Sequence, residues 1–311
     1  MTRHLVVDTD TASDDAVALL MAVASPDVVL DAVTVVAGNV TLDKAVRNAL
    51  FALDFCGAGH VPVHAGLERP LVRPLSTASD VHGEDGMGDT GLVRAVGRAA
   101  TEHAVDALVR LANEAPGERE LVTLGPLTNV AAALLRDRQL LTKYRRTVMM
   151  AGSPDCVGNV TATAEFNVWA DPEAASIVLE APGERVLVGW NISRLQAVMG
   201  PAEHQRLSSL ATPRARFVQE VNVKVAEYCA RVTGLDGYDL PDPVAMAVAL
   251  RPALVTESER VPVRVALGEE LRGQLVLDHR RGAGGPGDVE VVWRVDEEAW
   301  KELLFAACAA K

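Results

Sequence analysis

The chain has 311 residues, 49% of them hydrophobic and 23% charged, enough apolar material for a large buried core and outside the range of disordered, collagenous or coiled-coil chains. Lys and Arg total 30 against 42 Asp and Glu, and the formal net charge of −12 disfavours nucleic acid and anionic membrane as partners. The short basic runs at 136–138 and 143–146 read as the solvated ends of helices.

Cysteines at 56, 156, 229 and 308 show neither CxxC spacing nor close His neighbours, so neither a zinc site nor a disulfide framework is signalled and reduced, cytoplasmic thiols fit best. Leu5-Val6-Val7 is the only apolar run before Asp8, too short for the apolar stretch of a secretory leader. No apolar run approaches the ~18 residues that cross a bilayer.

Short apolar runs alternate with longer amphipathic ones, the pattern of βαβ units. The fold class expected is α/β, an open, mainly parallel sheet flanked by helices, in a single domain spanning 1–311. In chain order the pattern predicts a strand at 5–7, a helix at 15–24 capped by Ser13 or Asp14, a strand at 29–37, a helix at 42–56 and a strand at 61–64. A long Gly-rich loop at 66–98 precedes a helix at 103–113, a strand at 121–124, a helix at 129–135 and a strand at 147–151. After a second long loop, 151–170, come a helix at 171–180, a strand at 186–188 and one long helix at 213–231. The C-terminal part predicts strands at 261–267, 274–278 and 289–293 around a flexible turn at 280–287, then a closing helix at 297–309. Ligands of open α/β sheets bind beyond the carboxyl ends of the strands, so the polar loops there should hold the site, the two long ones above all.

Asp8-Thr-Asp10-Thr-Ala-Ser-Asp14-Asp15 sets four carboxylates at a strand end and a helix start. Their mutual repulsion is costly without a cation or a set of donors. Helix capping accounts for Asp14 and Asp15 but leaves Asp8 and Asp10 unexplained. Ligation by oxygen alone favours a hard cation, Ca²⁺ or Mg²⁺, over zinc. The Asp8-x-Asp10 pair also resembles Mg²⁺ phosphohydrolases with an aspartate nucleophile. That reading wants a Lys or Ser near a later strand end and a second acidic pair, and Leu124-Gly-Pro-Leu-Thr-Asn129 and Met149-Met-Ala-Gly-Ser153 stand there instead.

Further loop motifs follow the strands: Gly38-Asn39-Val-Thr41, Leu124 to Asn129, and Gly158-Asn159-Val-Thr-Ala-Thr-Ala-Glu165-Phe166-Asn167, while Asp242-Pro-Val-Ala opens a late helix. With the Asp8–Asp15 cluster, these elements resemble the inosine–uridine-preferring nucleoside hydrolase family over roughly residues 5–250. The resemblance implies a Rossmann-like architecture, Ca²⁺ as cofactor, hydrolysis of the N-glycosidic bond of a small-molecule ribonucleoside, and a homo-oligomer, dimer or tetramer. It puts the Ca²⁺ ligands on Asp10, Asp15, Asp242 and the backbone carbonyl of Leu124, with Asp10 also taking the proton of the attacking water. Asp14 and Asn39 would bind the 2′ and 3′ hydroxyls, Asn159, Glu165 and Asn167 the 5′ and 3′ hydroxyls. Met150 would line the floor, and Phe166 belongs to the same substrate-binding segment. His82, in the Gly-rich loop, and Tyr228, on the long helix, resemble positions at the pocket mouth and near the base, and are the further catalytic candidates. Asn39 and Asn159 also read as glycosylation sequons, which a cytoplasmic chain disfavours.

One departure stands out. The best-known members carry His-Asp-Pro, whose His helps protonate the leaving base, where this chain has Leu240-Pro241-Asp242-Pro243. Either His82 or Tyr228 supplies the proton, or the leaving group needs none, as a cationic nicotinamide or an N7-alkylated purine would; the sequence favours the latter. A non-catalytic nucleoside-binding protein that keeps the cradle is the alternative from another class.

Overall fold

Strands apolar on both faces need cover on both sides, which crossover helices between parallel strands provide. In the computed structural model, which describes residues 2–280, 282 and 288–310, Leu5, Val6 and Val7 are fully buried in β1 (Arg3–Thr9). β2 (Val28–Val35), β3 (Val63–Ala65), β4 (Arg119–Thr123), β5 (Thr147–Met150) and β6 (Arg185–Val188) join β1 in parallel in the order β3-β2-β1-β4-β5-β6. β7 (Val198–Met199) and β8 (Tyr238–Asp239) form a separate antiparallel pair. β9 (Val255–Val261) ends the main sheet antiparallel to β12 (Val289–Val295), itself parallel to β6, while β10 (Val263–Val265) and β11 (Leu275–Leu277) pair apart from it.

The side-chain alternation of β1 divides the core. Leu5 and Val7 pack with α1 (Ser13–Ala24) and α2 (Leu42–Phe55), whereas Val6 points to the opposite layer. That second layer is built by α4 (Ala104–Glu114), α5 (Thr128–Arg136), α6 (Leu140–Lys143) and α8 (Pro172–Leu179), with α3 (Ser79–His82) and α7 (Phe166–Ala170) inside the two long loops. α9 (Trp190–Gln196), α10 (Pro201–Leu210), α11 (Pro213–Val221), α12 (Val223–Tyr228), α13 (Pro241–Leu250) and α14 (Glu297–Ala309) complete the first layer and its rim. Ala16 to Leu20 of α1 are all fully buried, as befits a helix apolar all round. Among the described residues, no helix is long and apolar enough to cross a membrane.

Chain order runs outward from β1 to β3 and then returns to place β4 on the other side of β1. This is the switch point at which open α/β sheets bind ligands, and the loops after β1 and β4 meet there.

Several expectations require correction. The helix at 213–231 is broken at Asn222, whose Nδ2 donates to Val218 O at 2.8 Å, a side-chain bond to the preceding turn of the kind that bends helices. Its last stretch is a π-helical turn, Cys229–Thr233. Neither Ser13 nor Asp14 caps α1: Ala12 holds that position, and Asp15 reaches back to accept its N–H at 2.8 Å. The strand at 261–267 is two strands, β9 and β10, split at Pro262; β9 is a largely polar edge strand with no apolar signal. α10 escaped notice because only Leu207 is buried in it. Of the turn at 280–287, residues 281 and 283–287 lie outside the described residues.

Candidate active site

Asp8, at the end of β1, is fully buried, and its Oδ1 accepts from Thr34 Oγ1 at 2.5 Å and Asn129 Nδ2 at 2.9 Å. Burial nonetheless pushes its carboxyl up to about 7. Asn129 also donates to Val35 O at 3.0 Å and accepts from Leu67 N at 2.9 Å, tying together the ends of β1 and β2 and the start of α5. Asp8 is therefore a strut.

Asp10 is fully buried; Oδ2 accepts from the Asn39 N–H at 2.5 Å, while Oδ1 has no hydrogen-bond partner. Gly38 and Gly125 press on it from either side. A Cβ at Gly125 would stand 2.6 Å from Oδ1, and one at Gly38 would overlap Oδ2, so both loops need glycine for close backbone approach rather than for a left-handed turn. Asp15 accepts from Thr9 Oγ1 at 2.5 Å and Ala12 N at 2.8 Å. Asp14 Oδ1 is buried without a partner, 3.8 Å from His82 Nδ1, and Asp242 starts α13.

Ligand oxygens of Asp14, Asp15 and Asp242 lie within 4.8 Å of one another. Burial first, then the neighbouring carboxylates, raise Asp10 and Asp242 well above the ordinary range. Burial likewise lifts Asp14 and Asp15 to about 6, with the Asp14 charge adding to the rise of Asp15. Four buried carboxylates, two of them (Asp10 and Asp14) with an orphaned oxygen, and no Lys or Arg paired to them among the described residues, fit a hard, oxygen-seeking cation. The tightest group contains Asp14 where the sequence reading expects Asp10; Asp10 stands close enough to feel the charges of both Asp14 and Asp15.

A cavity of about 820 Å³ opens over this cluster. Asp14, Asn39, His82, Leu124, Met150, Asn159, Glu165, Phe166, Asn167, Tyr228 and Asp242, all singled out from the sequence, line it, whereas Asp10 and Asp15 are buried outside its wall. Asn167 Nδ2 donates to Leu124 O at 2.8 Å and Met150 O at 3.2 Å, so α7 is tied to the ends of β4 and β5. Glu165 caps α7, accepting from Asn167 N at 2.7 Å and Val168 N at 3.3 Å, and also takes the Gly152 N–H at 2.6 Å. Burial raises its carboxyl to about 7. Asn159 is exposed and accepts from Phe166 N at 3.0 Å; Phe166 is half-buried, its ring 6.5 Å from that of Trp169.

His82 Nδ1 shares a hydrogen bond with Ser13 Oγ at 2.8 Å, and burial pulls the ring down to about 4, so it is neutral at physiological pH. Tyr228 is half-buried at the end of α12. Sequence reasoning missed Asp239, Trp190 and Arg194, which also line the cavity. For Asp239 a signal existed: an acid two positions before the departure at Pro241.

The family model described as inosine-uridine preferring nucleoside hydrolase matches residues 5–302. The chain is 34% identical over 314 residues to the inosine-uridine preferring nucleoside hydrolase of Crithidia fasciculata, covering 99% of this chain and 98% of that one. It is also 34% identical over 305 residues to the pyrimidine-specific ribonucleoside hydrolase RihA of Enterobacter sp. (strain 638), covering 98% and 97% respectively. A solved plant nucleoside hydrolase superposes with a TM-score of 0.94 at 31% identity, with 100% of both chains covered.

Proposed function

We propose, for a chain that belongs to the inosine-uridine preferring nucleoside hydrolase family, that the cavity cleaves the N-glycosidic bond of a ribonucleoside to ribose and free base with Ca²⁺ as cofactor. The observation that carries the reading is the convergence of Asp14, Asp15 and Asp242 within 4.8 Å beside a cavity walled by amides and a carboxylate suited to sugar hydroxyls. Held by Asp10, Asp15, Asp242 and the carbonyl of Leu124, the cation would supply a Lewis acid for the attacking water and an anchor for the ribose.

The remaining roles fall to the chain's own groups. Asp10 takes the proton of the water on its unpartnered Oδ1. Asp14 and Asn39 hold the 2′ and 3′ hydroxyls, and Asn159, Glu165 and Asn167 the 5′ and 3′ hydroxyls, with Met150 beneath the ring. Carboxylates around the sugar favour the positive charge of an oxocarbenium-like transition state. The two curated relatives differ by name in their base range, and the base is left open. The chain acts as one domain, in a reducing cytoplasmic setting suited to its four free thiols, and as a homo-oligomer.

Screening nucleosides for ribose release in Ca²⁺ and in a chelator tests this. Release that depends on Ca²⁺ is expected. Undiminished release after complete metal removal would refute the metal role, and binding of nucleosides without release would favour a non-catalytic cradle.

A further inference from the structure

When a C1′–N bond breaks, its electron pair goes to the base nitrogen, and a neutral nucleobase departs readily only if a proton reaches it. Pro241 has no atom to give one. His82 is neutral and engaged with Ser13. The wall that carries Pro241 also carries Asp239, on β8. Its Oδ1 accepts from Cys229 Sγ at 3.9 Å, across from the π-helical turn, and its Oδ2 is buried with no partner although the residue lines the cavity. Val225, Val232 and Leu235 line the same cavity, giving an apolar surround in which a base ring fits.

We propose that Asp239 is the general acid of this chain, its Oδ2 delivering the proton to the base nitrogen as the C1′–N bond breaks. This rests on the nucleoside-hydrolase reading. The water loses one proton to Asp10 and gives its OH to C1′; the base nitrogen takes the electron pair of the C1′–N bond and one proton from Asp239; Asp10 then releases its proton to solvent and Asp239 regains one from it, so the sum is nucleoside plus water to ribose plus base.

Burial, with the charge of Asp14 adding to it, raises Asp239 to about 6, and the hydrogen bond from Cys229 offsets part of the rise. Burial holds the Cys229 thiol protonated, up to about 12, so it remains a donor to Oδ1 and leaves Oδ2 as the site of the transferable proton. Asp80, His82, Glu165, Arg194, Tyr228 and Asp242 are the other charged or titratable groups that line the cavity. A pre-charged leaving group, favoured while Pro241 stood alone, is then unnecessary.

The test compares wild type with Asp239→Asn in saturating Ca²⁺ on inosine, on uridine and on p-nitrophenyl riboside, whose phenolate leaves without a proton. Expected is a loss of kcat of roughly 10²–10⁴-fold on a nucleoside that the wild type cleaves, with under about threefold change on the aryl riboside and partial recovery in Asp239→Glu. The retained aryl riboside rate reports that the variant is folded. Equal losses on both substrate types, or no loss on the nucleoside, overturn the acid role alone. Wild-type protein offers a second measure, independent of any variant. Its kcat on the nucleoside should fall as pH rises past the acid's pKa while that on the aryl riboside does not, and parallel profiles overturn the proposal. A wild type that cleaves none of the three substrates overturns the hydrolase reading, and the acid role with it.

Discussion

Asp14→Asn separates the cost of the acidic cluster from its use. Asp14 is buried, its Oδ1 has no partner, and its carboxyl is raised from the ordinary 3.8 to about 6, chiefly by desolvation. At about 1.4 kcal/mol for each pH unit, keeping this group ionised costs the metal-free fold about 3 kcal/mol at neutral pH. The sign follows from a folded-state pKa above the unfolded one. Below 3.8 both states are protonated and the penalty is absent; it grows as pH rises through about 6 and is then constant. An asparagine has the same shape and no charge, so in chelator at pH 7.5 the variant should melt above wild type by roughly 5 °C. The gap should close as pH falls toward 4. Added Ca²⁺ at about 1,000 times the wild-type Kd should reverse the order, because it stabilises by about 4.1 kcal/mol, more than the penalty of about 3 kcal/mol, and the variant has lost a charge that attracts it. Scanning fluorimetry across pH, with and without Ca²⁺, reads all three effects. A chelated variant that melts below wild type at pH 7.5 would refute the reasoning, since the cluster would then not be repulsive when metal-free.

Gly125→Ala places a methyl group 2.6 Å from Asp10 Oδ1 and 2.9 Å from Asp10 N; ribose release should fall at least about tenfold, and an unchanged kcat would show that Asp10 tolerates displacement. Asn129→Ala removes bonds to Asp8, Val35 and Leu67 at once and should lower stability by about 2–4 kcal/mol in denaturant titration, a loss under 1 kcal/mol counting against the strut. A 2′-deoxynucleoside should be cleaved roughly 10⁴-fold less efficiently than its ribo form, because it leaves buried hydroxyl partners unmatched; comparable kcat/KM values would remove Asp14 and Asn39 from the sugar.

The parts of the site that were legible in the sequence share one physical cause. β1 is apolar on both faces, so the pattern locates it, and the acids that follow it fall at the switch point, where topology already directs a ligand. The motifs after β2, β4 and β5 join them because parallel strands put all their carboxyl ends on one edge. Roles within the cluster were less legible, since Asp8 and Asp10 are alike in type and burial, each has one bonded and one unpartnered oxygen, and they differ only in what surrounds them: the side chains of Thr34 and Asn129 for one, the Asn39 N–H and the charges of Asp14 and Asp15 for the other. Asp239 carried one cue, its place two positions before Pro241, and no periodic one. A two-residue strand has no periodicity to read, and its facing group, Cys229, comes from a π-helical turn inside what the spacing predicts as continuous α-helix. The break at Asn222 and the π turn interrupt the α-helical repeat between the body of that helix and the cavity wall. Helical spacing alone therefore does not say which residues between 222 and 233 reach the cavity, where Val225, Tyr228, Cys229, Val232 and Thr233 do.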